Sequence, residues 1–575
     1  MSERILEWGG FALALALGLF LAATGSGYVA QTAFNVALYV LLATGWNIIS
    51  GFTGYVSFGQ VSFFGLGAYL AAIAVLQPGL AWYLALPVAA LGAAAVAAAL
   101  GAIMLRLNGI FFALGMFGLA RILEILARSL SFTGGPMGES VAAAASPNLA
   151  ALVMMLVAAA AVGGTWAMLR TRLGLRLLAI RDDPIAAQAA GVDVWATKII
   201  AFSLSAALAA IGGALYVWNI GYLDPSSAFT GTIELQTILM VMTGGIATVW
   251  GPLIGAVLVS SLSTVLWARF PMEQQIVLGA LIMLVAVAMP GGIMSALARA
   301  GLLRRRPIWG PPPLPARRDA RRDAPAPPSH AGPVLECSGL GIRFGGVIAL
   351  DNIDLVAHPA EMLAIIGPNG AGKSTLFNLI SSFARPTAGT VRFAGRALPR
   401  MRPEHLARLG VARTFQTSRL FPSLTAWETV LLAAISLHRE KASARAEASY
   451  ILARLGLADS WSERPDTLPP GRQRLLEIAR ALALRPRVLL LDEAMAGMSS
   501  SEIEEVHAAL SEAMRAGTAI VAIEHVLPAI APLAARVQVL DFGRTIAVGI
   551  PHDVLNDPGV IAVYLGAEET ADAAA

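Results

Sequence analysis

The chain has 575 residues, 57% of them hydrophobic and only 14% charged, with a mean hydropathy of +0.68; so much apolar surface must face lipid, which excludes a wholly soluble protein. A formal charge of +4 and a pI near 9.4 would suit nucleic acid, but the basic residues sit in short loops beside apolar runs and in one linker, where membrane topology accounts for them. The lone cysteine, Cys337, excludes an internal disulfide framework and a Cys-rich metal site, and it suits a small apolar position in a strand.

Taken in chain order, apolar stretches near the ~20 residues needed to span a bilayer fall near residues 10–25, 28–50, 56–77, 80–105, 109–130, 148–169, 198–221, 233–265 and 273–298. They predict a polytopic all-α membrane domain of about eight to ten helices. The first run has Glu3 and Glu7 beside a single Arg4, so it reads as an uncleaved helix rather than a signal peptide. Glycine-rich stretches at Gly51 to Gly67 and Gly244 to Gly255 are places where helices break or pack closely. Arg121, Glu124 and Arg128 recur at helical spacing, as either an ion pair turned toward a pathway or a helix end at the headgroups. No substrate role follows from them.

The polar stretch Arg170 to Lys198 carries the densest positive charge between spans, and Arg299 and Arg304 to Arg306 follow the last one, so both belong in the cytoplasm. Residues 304–333, with the run RPIWGPPPLPARRDARRDAPAPPSHAGP, hold little to bury and predict an extended, semi-rigid linker between a membrane portion, 1–303, and a third portion, 334–575. Arg317, Arg318, Arg321 and Arg322 present either a solvated face or a contact to anionic lipid.

Beyond residue 333, short apolar runs alternate with helical stretches, as in an α/β domain. The strand Met362 to Ile366 leads into Gly367, Pro368, Asn369, Gly370, Ala371, Gly372, Lys373 and Ser374, a full GxxxxGK[ST] match, and Thr375 opens the helical run after it. Glycines let the backbone wrap a phosphate with N–H groups and a helix N-terminus aimed at the anion. Lys373 then reaches the terminal phosphates of ATP and the Ser374 hydroxyl ligates Mg²⁺. A second apolar run, Val488 to Leu491, ends in Asp492, suited to hold Mg²⁺, and Glu493, suited to orient or deprotonate the attacking water.

With these motifs in order, residues 334–566 resemble an ATP-binding-cassette ATPase, which implies an α/β P-loop fold and ATP hydrolysis. The resemblance puts Phe344 of RFGG at the adenine-stacking aromatic and His525 of IVAIEH at the switch histidine. It puts Gln416 of RTFQTSRLFPSLTAWE at the glutamine that senses Mg²⁺ and faces the permease. The segments GRQRLLEIARALALRPRVLLLDEAMAGM and VLDFGRTIAVGIPHDVLNDPGVIAVYLG resemble the ATPases of branched-chain amino acid importers. In the membrane half, NVALYVLLATGWNIISGFTGYVSFGQVSFFGLGAYLAA and LQTILMVMTGGIATVWGPLIGA resemble the permease of the same importers, so two functions that commonly occupy separate chains look fused.

The resemblance implies a second permease and a second cassette, as a heteromer rather than a homodimer, and an external substrate-binding protein. It also implies a coupling motif: Ile185, Ala186, Ala187 and Gly191 keep the spacing of the importers' EAAxxxG loop, with Ile185 in place of Glu. At the signature, Leu468, Pro469, Pro470, Gly471 and Arg472 stand where the family carries a sequence resembling LSYGQ. Proline has neither hydroxyl nor N–H to offer a phosphate, while Arg472 offers a charged fork. Related systems move urea, short amides or aromatic carboxylates. A fused exporter would show six spans with long charged intracellular helices, and a non-transporting membrane ATPase would hydrolyse without moving solute.

Overall fold

A computed structural model describes residues 12, 15–107, 109–141, 146–270, 273–288, 291–301, 308–310, 332–398, 400–495, 498–524 and 530–563. Two compact units emerge, one comprising Met1–Leu177 with Trp195–Arg305 and the other Leu178–Val194 with Arg306–Ala575. The segment Leu178–Val194 therefore packs with the C-terminal residues, although it interrupts the membrane portion in sequence.

In the first unit the helices are α1 (Gly27–Trp46), α2 (Gln60–Leu76), α3 (Trp82–Met104), α4 (Ile110–Ser129), α5 (Pro147–Leu169), α6 (Arg172–Asp182, whose last turn joins the second unit), α8 (Val194–Ile220), α9 (Gly231–Gly244), α10 (Trp250–Arg269), α11 (Gln274–Ala288) and α12 (Gly292–Arg299); the short α7 (Pro184–Ala189) lies in the second unit. Among the described residues, five helical stretches are long and apolar enough to cross a bilayer, Gly27–Gly51, α3, α4, α5 and α8, and shorter apolar helices include Leu15–Thr24, α2 and Trp250–Leu266. The apolar stretch 233–265, expected as one span, is two helices, because the chain turns at Gly245 (φ 132°) and Ala247 (φ 57°). Hydropathy does not register such a break. The stretch 273–298 likewise divides into α11 and α12.

Lipid tails give helices no hydrophobic reason to associate, so close contact rests on small residues. On α3, Ala85, Ala89, Ala93 and Ala97 are fully buried at four-residue spacing, while Tyr83 and Leu91 point outward. Helices α2 and α8 touch almost backbone to backbone: a Cβ on Gly67 would lie 2.3 Å from Ala210 Cα, and one on Gly213 would lie 1.9 Å from Phe64 O. Glu124 pairs with Arg121 at 2.5 Å and Arg128 at 2.8 Å along α4.

The second unit is built on two sheets. Strands β1 (Leu335–Phe344), β2 (Val347–Ala357), β4 (Ala388–Phe393) and β5 (Arg396–Ala397) form an antiparallel sheet in the order β2-β1-β4-β5, with Cys337 buried in β1. Strands β3 (Met362–Ile366), β6 (Val411–Arg413), β7 (Val488–Asp492), β8 (Ala519–Ile523), β9 (Arg536–Asp541) and β10 (Arg544–Gly549) form the other in the order β10-β9-β3-β8-β7-β6, parallel except at the β9-β10 hairpin. Strands β3, β7 and β8 are buried along their whole length, as continuous apolar runs require in a parallel sheet. Ile523 pairs with both Ile365 and Asp492, so three strands end together at one edge. Ligands of open α/β sheets bind beyond such carboxyl ends. The remaining helices are α13 (Lys373–Ile380), α14 (Pro403–Leu409), α15 (Ala426–Leu437), α16 (Lys441–Arg454), α17 (Pro470–Leu482), α18 (Ser500–Arg515) and α19 (Pro551–Leu555).

Candidate nucleotide site, docking surface and membrane cavity

Between β3 and α13 the chain makes a tight loop that only glycine tolerates at its ends. Gly367 (φ 151°) lies so near β9 that a Cβ would fall 2.1 Å from Leu540 O, and a Cβ on Gly372 (φ 97°) would fall 2.7 Å from Ala349 O. Lys373, the first residue of α13, curls back so that Nζ donates to Gly367 O at 2.6 Å and Pro368 O at 2.8 Å, which keeps the ammonium inside the loop. Burial lowers its pKa, and the nearby Glu493 and Asp492 oppose that. Ser374 and Thr375 follow on the helix, while Asn369, Gly370 and Ala371 form the loop's crest. Phe344, 57% exposed at the end of β1, keeps an aromatic face free.

Across the sheet edge, Asp492 ends β7 with its N–H donating to Thr414 Oγ1 at 3.1 Å. Its Oδ2 pairs with buried Arg413 at 3.1 Å, whereas its Oδ1 is buried without a partner among the described residues. Burial raises the Asp492 pKa, and Arg413 pulls it down. Glu493 holds a left-handed backbone (φ 48°), a strained conformation of the kind retained at functional sites. Its Oε2 accepts from Gln416 Nε2 at 3.0 Å. An orphaned carboxylate oxygen, a serine hydroxyl and an amide carbonyl form a hard-oxygen donor set that fits Mg²⁺. His525 lies outside the described residues, as do the linker residues Arg317, Arg318, Arg321 and Arg322.

Sequence reasoning missed the charges that hold this edge together. Arg413 also donates to Asn378 Oδ1 at 2.6 Å and Ser381 Oγ at 3.0 Å, tying β6 to α13. Glu477, fully buried on α17, accepts from Phe415 N at 3.0 Å and from Arg474 at 3.2 Å. Arg474 donates to the carbonyls of Phe415 and Gln416, and Arg480 to that of Arg419. The segment carrying Gln416 is therefore fastened to α17 by its backbone. Only an arginine or a glutamate in an otherwise apolar helical run signals this in sequence.

Helix α17 begins at Pro470, because proline is pre-shaped for the first helical position. Pro469 is its N-cap and offers no side-chain bond; Leu468 is buried, and its carbonyl accepts from Gln473 Nε2 at 2.9 Å. Gly471 is buried in the first turn. Arg472 is tied to Ser460 Oγ at 2.8 Å. In this conformation its guanidinium braces α17 instead of projecting as a free fork.

The same segment meets residues 178–194. Asp183 caps α7, accepting from Ile185 N at 2.8 Å and Ala186 N at 2.9 Å, and its other oxygen pairs with Arg419 at 2.8 Å. Asp182 accepts from Ser423 N and Oγ, both at 2.7 Å. Ala186 and Ala187 are fully buried, and Ile185 is 39% exposed. Gly191 turns left-handed (φ 80°) with its carbonyl accepting from Arg408 Nε at 2.8 Å, and a Cβ there would press Ser436 at 2.9 Å.

In the membrane unit, a cavity of about 630 Å³ is lined by neutral polar groups that include Gln31, Asn35, Gln236, Ser260 and Thr264. Just past the end of α1, Asn47 donates to Thr248 O at 2.9 Å and accepts from Ala247 N at 2.9 Å, which ties this end to the turn between α9 and α10. Glu234 of α9 accepts from Val61 N at 2.8 Å, at the free N-terminus of α2.

A family model described as the permease component of branched-chain amino acid transport systems matches residues 28–286. A model of ABC transporters matches residues 350–496, and one of branched-chain amino acid ATP-binding cassette transporters matches 544–570. The high-affinity branched-chain amino acid transport ATP-binding protein LivG of Escherichia coli K12 is 36% identical over 250 residues, covering 41% of this chain and 98% of that protein. BraF of Pseudomonas aeruginosa, with the same description, is 34% identical over 250 residues with the same coverage. A crystal structure of a nucleotide-free ATP-binding cassette is 28% identical over 40% of this chain and 98% of its own, with a TM-score of 0.38.

Proposed function

We propose, from the premise that this chain belongs to the family of branched-chain amino acid ATP-binding-cassette transporters, that the residues above divide the work of one import cycle. The chain imports branched-chain amino acids by hydrolysing ATP, as a multi-pass inner-membrane protein whose ATPase faces the cytoplasm. The observation that carries this reading is that its membrane half and its C-terminal element match, independently, models of the same transport system.

In this reading Phe344 stacks on adenine, residues Gly367–Thr375 cradle the phosphates through their N–H groups, and Lys373 exchanges its two loop carbonyls for phosphate oxygens. Ser374, Asp492 and Gln416 would hold Mg²⁺, which when bound neutralises charge on the β- and γ-phosphate oxygens. Glu493 orients the attacking water, and His525 contacts the γ-phosphate. Displacing Gln416 from Glu493 strains the backbone fastened to Arg474 and Arg480, and Arg419 passes that movement to Asp183. Ala186, Ala187 and Gly191 are the docking surface that receives it.

One cassette cannot complete a site, so a second permease and a second cassette are required, with an external binding protein to deliver substrate. We favour a heteromer. Two prolines at the start of α17 leave fewer N–H donors for an opposing phosphate, and Arg472 is already engaged, so the site using this signature hydrolyses slowly while the one using Lys373 and Glu493 is active. A homodimer would carry the weakness twice. The neutral cavity is this subunit's half of the path.

Proteoliposomes holding the full assembly, loaded with ATP and supplied with its binding protein, should accumulate labelled leucine, isoleucine or valine. Uptake of urea, a short amide or an aromatic carboxylate in place of all three would change the substrate class. ATP hydrolysis with no solute moved would remove the transport reading.

A further inference from the structure

The linker was expected to bury almost nothing, yet Trp309 within it is only 7% exposed. Ile308 N and Trp309 N donate to Glu428 Oε1 at 2.6 and 3.2 Å. Glu428 is itself 2% exposed, and its Oε2 accepts from Thr425 N at 3.0 Å in the capping box that starts α15. Two of the three backbone N–H groups on this buried carboxylate thus come from the linker. The Trp309 carbonyl accepts from Arg445 Nη1 at 2.8 Å, and Lys441 Nζ stands 4.1 Å from the indole centroid. Gly310 then takes a left-handed turn (φ 68°).

These contacts make a socket from the first turns of α15 and α16 that holds a short peptide turn by its backbone and its aromatic side chain. A buried carboxylate left without its donors is unfavourable, so Glu428 has a physical reason to keep the peptide in place. Trp309 lies ten residues beyond Arg299, the end of α12, whereas residues 310–334 separate it from β1. The docked tripeptide therefore divides the linker into a short arm toward the membrane portion and a long arm toward the sheet.

We propose that Ile308–Gly310 is a docking strap, which seats Trp309 in the Glu428, Arg445 and Lys441 socket and fastens the ATPase to the permease it is fused to, leaving the long arm dispensable for that attachment. The occupant of the socket is this chain's own linker. The strap acts beside the docking of residues 178–194, and two attachments raise retention through effective concentration. It does not depend on which solute is transported.

The test is a full-length chain carrying a protease site within residues 311–331, cut after purification in its native assembly. The parent should keep its ATPase portion bound to the membrane portion after cutting, while Trp309→Ala should release it at least ~10-fold faster, as loss of a single buried anchor predicts. Glu428→Gln, which keeps shape and weakens the acceptor, should fall between them. Cassette melting temperature, measured on the cut material, separates loss of docking from loss of folding. Equal retention by parent and Trp309→Ala would overturn the strap. A parent that releases its ATPase as fast as the variant would overturn it equally. Leucine uptake by the uncut parent is a separate readout, so failure of the transport reading remains distinguishable.

Discussion

The sheet edge of the ATPase and the cavity of the permease handle polarity in opposite ways. Around the phosphate loop, buried charges stand in compensating sets: Asp492 with Arg413, Glu477 with Arg474 and Arg480, and Lys373 near Glu493. In the membrane cavity the lining is neutral, and the surrounding helices close through glycine and alanine. Chemistry on a phosphate needs fixed charge placed in advance. Passage of a zwitterion needs room and removable hydrogen bonds. The ATPase should therefore be most sensitive to charge deletion and the permease to added volume.

The strongest way to break this contrast is at the charges. Glu493→Gln should lower ATP hydrolysis by roughly 10²–10³-fold while retaining ATP, and Lys373→Ala should weaken nucleotide binding; single-turnover hydrolysis and nucleotide titration on the assembly check both. Unchanged turnover in both variants would remove these residues from the site. Added volume is the matching test on the other side. Gly213→Leu, which drives carbons into Phe64 O, should abolish folded permease, whereas Gln236→Leu in the cavity wall should leave abundance intact and alter uptake by less than roughly tenfold.

Where charge and volume meet, at α7, Ala187→Trp should lower transport several-fold and leave basal hydrolysis near the parent value, read as the ratio of solute moved to ATP spent at matched membrane abundance. A smaller gain is expected at the signature: Pro469→Ser with Arg472→Gln should raise ATPase activity a few-fold with the native partner cassette. Equal hydrolysis at both sites before the change would contradict the inequality proposed here.

The smallest effect concerns pH. Burial pushes Glu524 up from 4.5 to about 7, against the N–H of Met495 that supports its ionised form. The folded ATPase then holds this proton more tightly than the unfolded chain, so stability falls as pH rises from about 4.5 to about 7 and levels off above it. Glu524→Gln should flatten that slope by on the order of 1–3 kcal/mol across the window, measured by denaturant unfolding at several pH values.

Much of the ATPase was legible because phosphate chemistry writes itself locally: a glycine loop, a lysine and a strand ending in two acids lie within short runs of sequence. The partners of those residues were not. Arg413 meets Asp492 across 79 positions, and Asp182 and Asp183 looked like ordinary loop charge until Ser423 and Arg419 were brought to them. The membrane half was legible as apolar length, and the glycine-rich stretch Gly244 to Gly255 marked the place of the turn at Gly245 and Ala247, which hydropathy alone does not register. Trp309 escaped, since a single aromatic in a proline-rich run gives no periodicity.

The docking of Asp182 to Ser423 spans 241 residues, which has a consequence for synthesis. At ~5–20 residues per second, the loop is complete roughly 10–50 s before the helices that cover it leave the ribosome. Throughout that interval Ala186, Ala187 and the two aspartates face the cytosol uncovered, and a sister ATPase already folded nearby could occupy them first. In a fused chain the order of translation therefore fixes how long this docking surface waits for its own ATPase half.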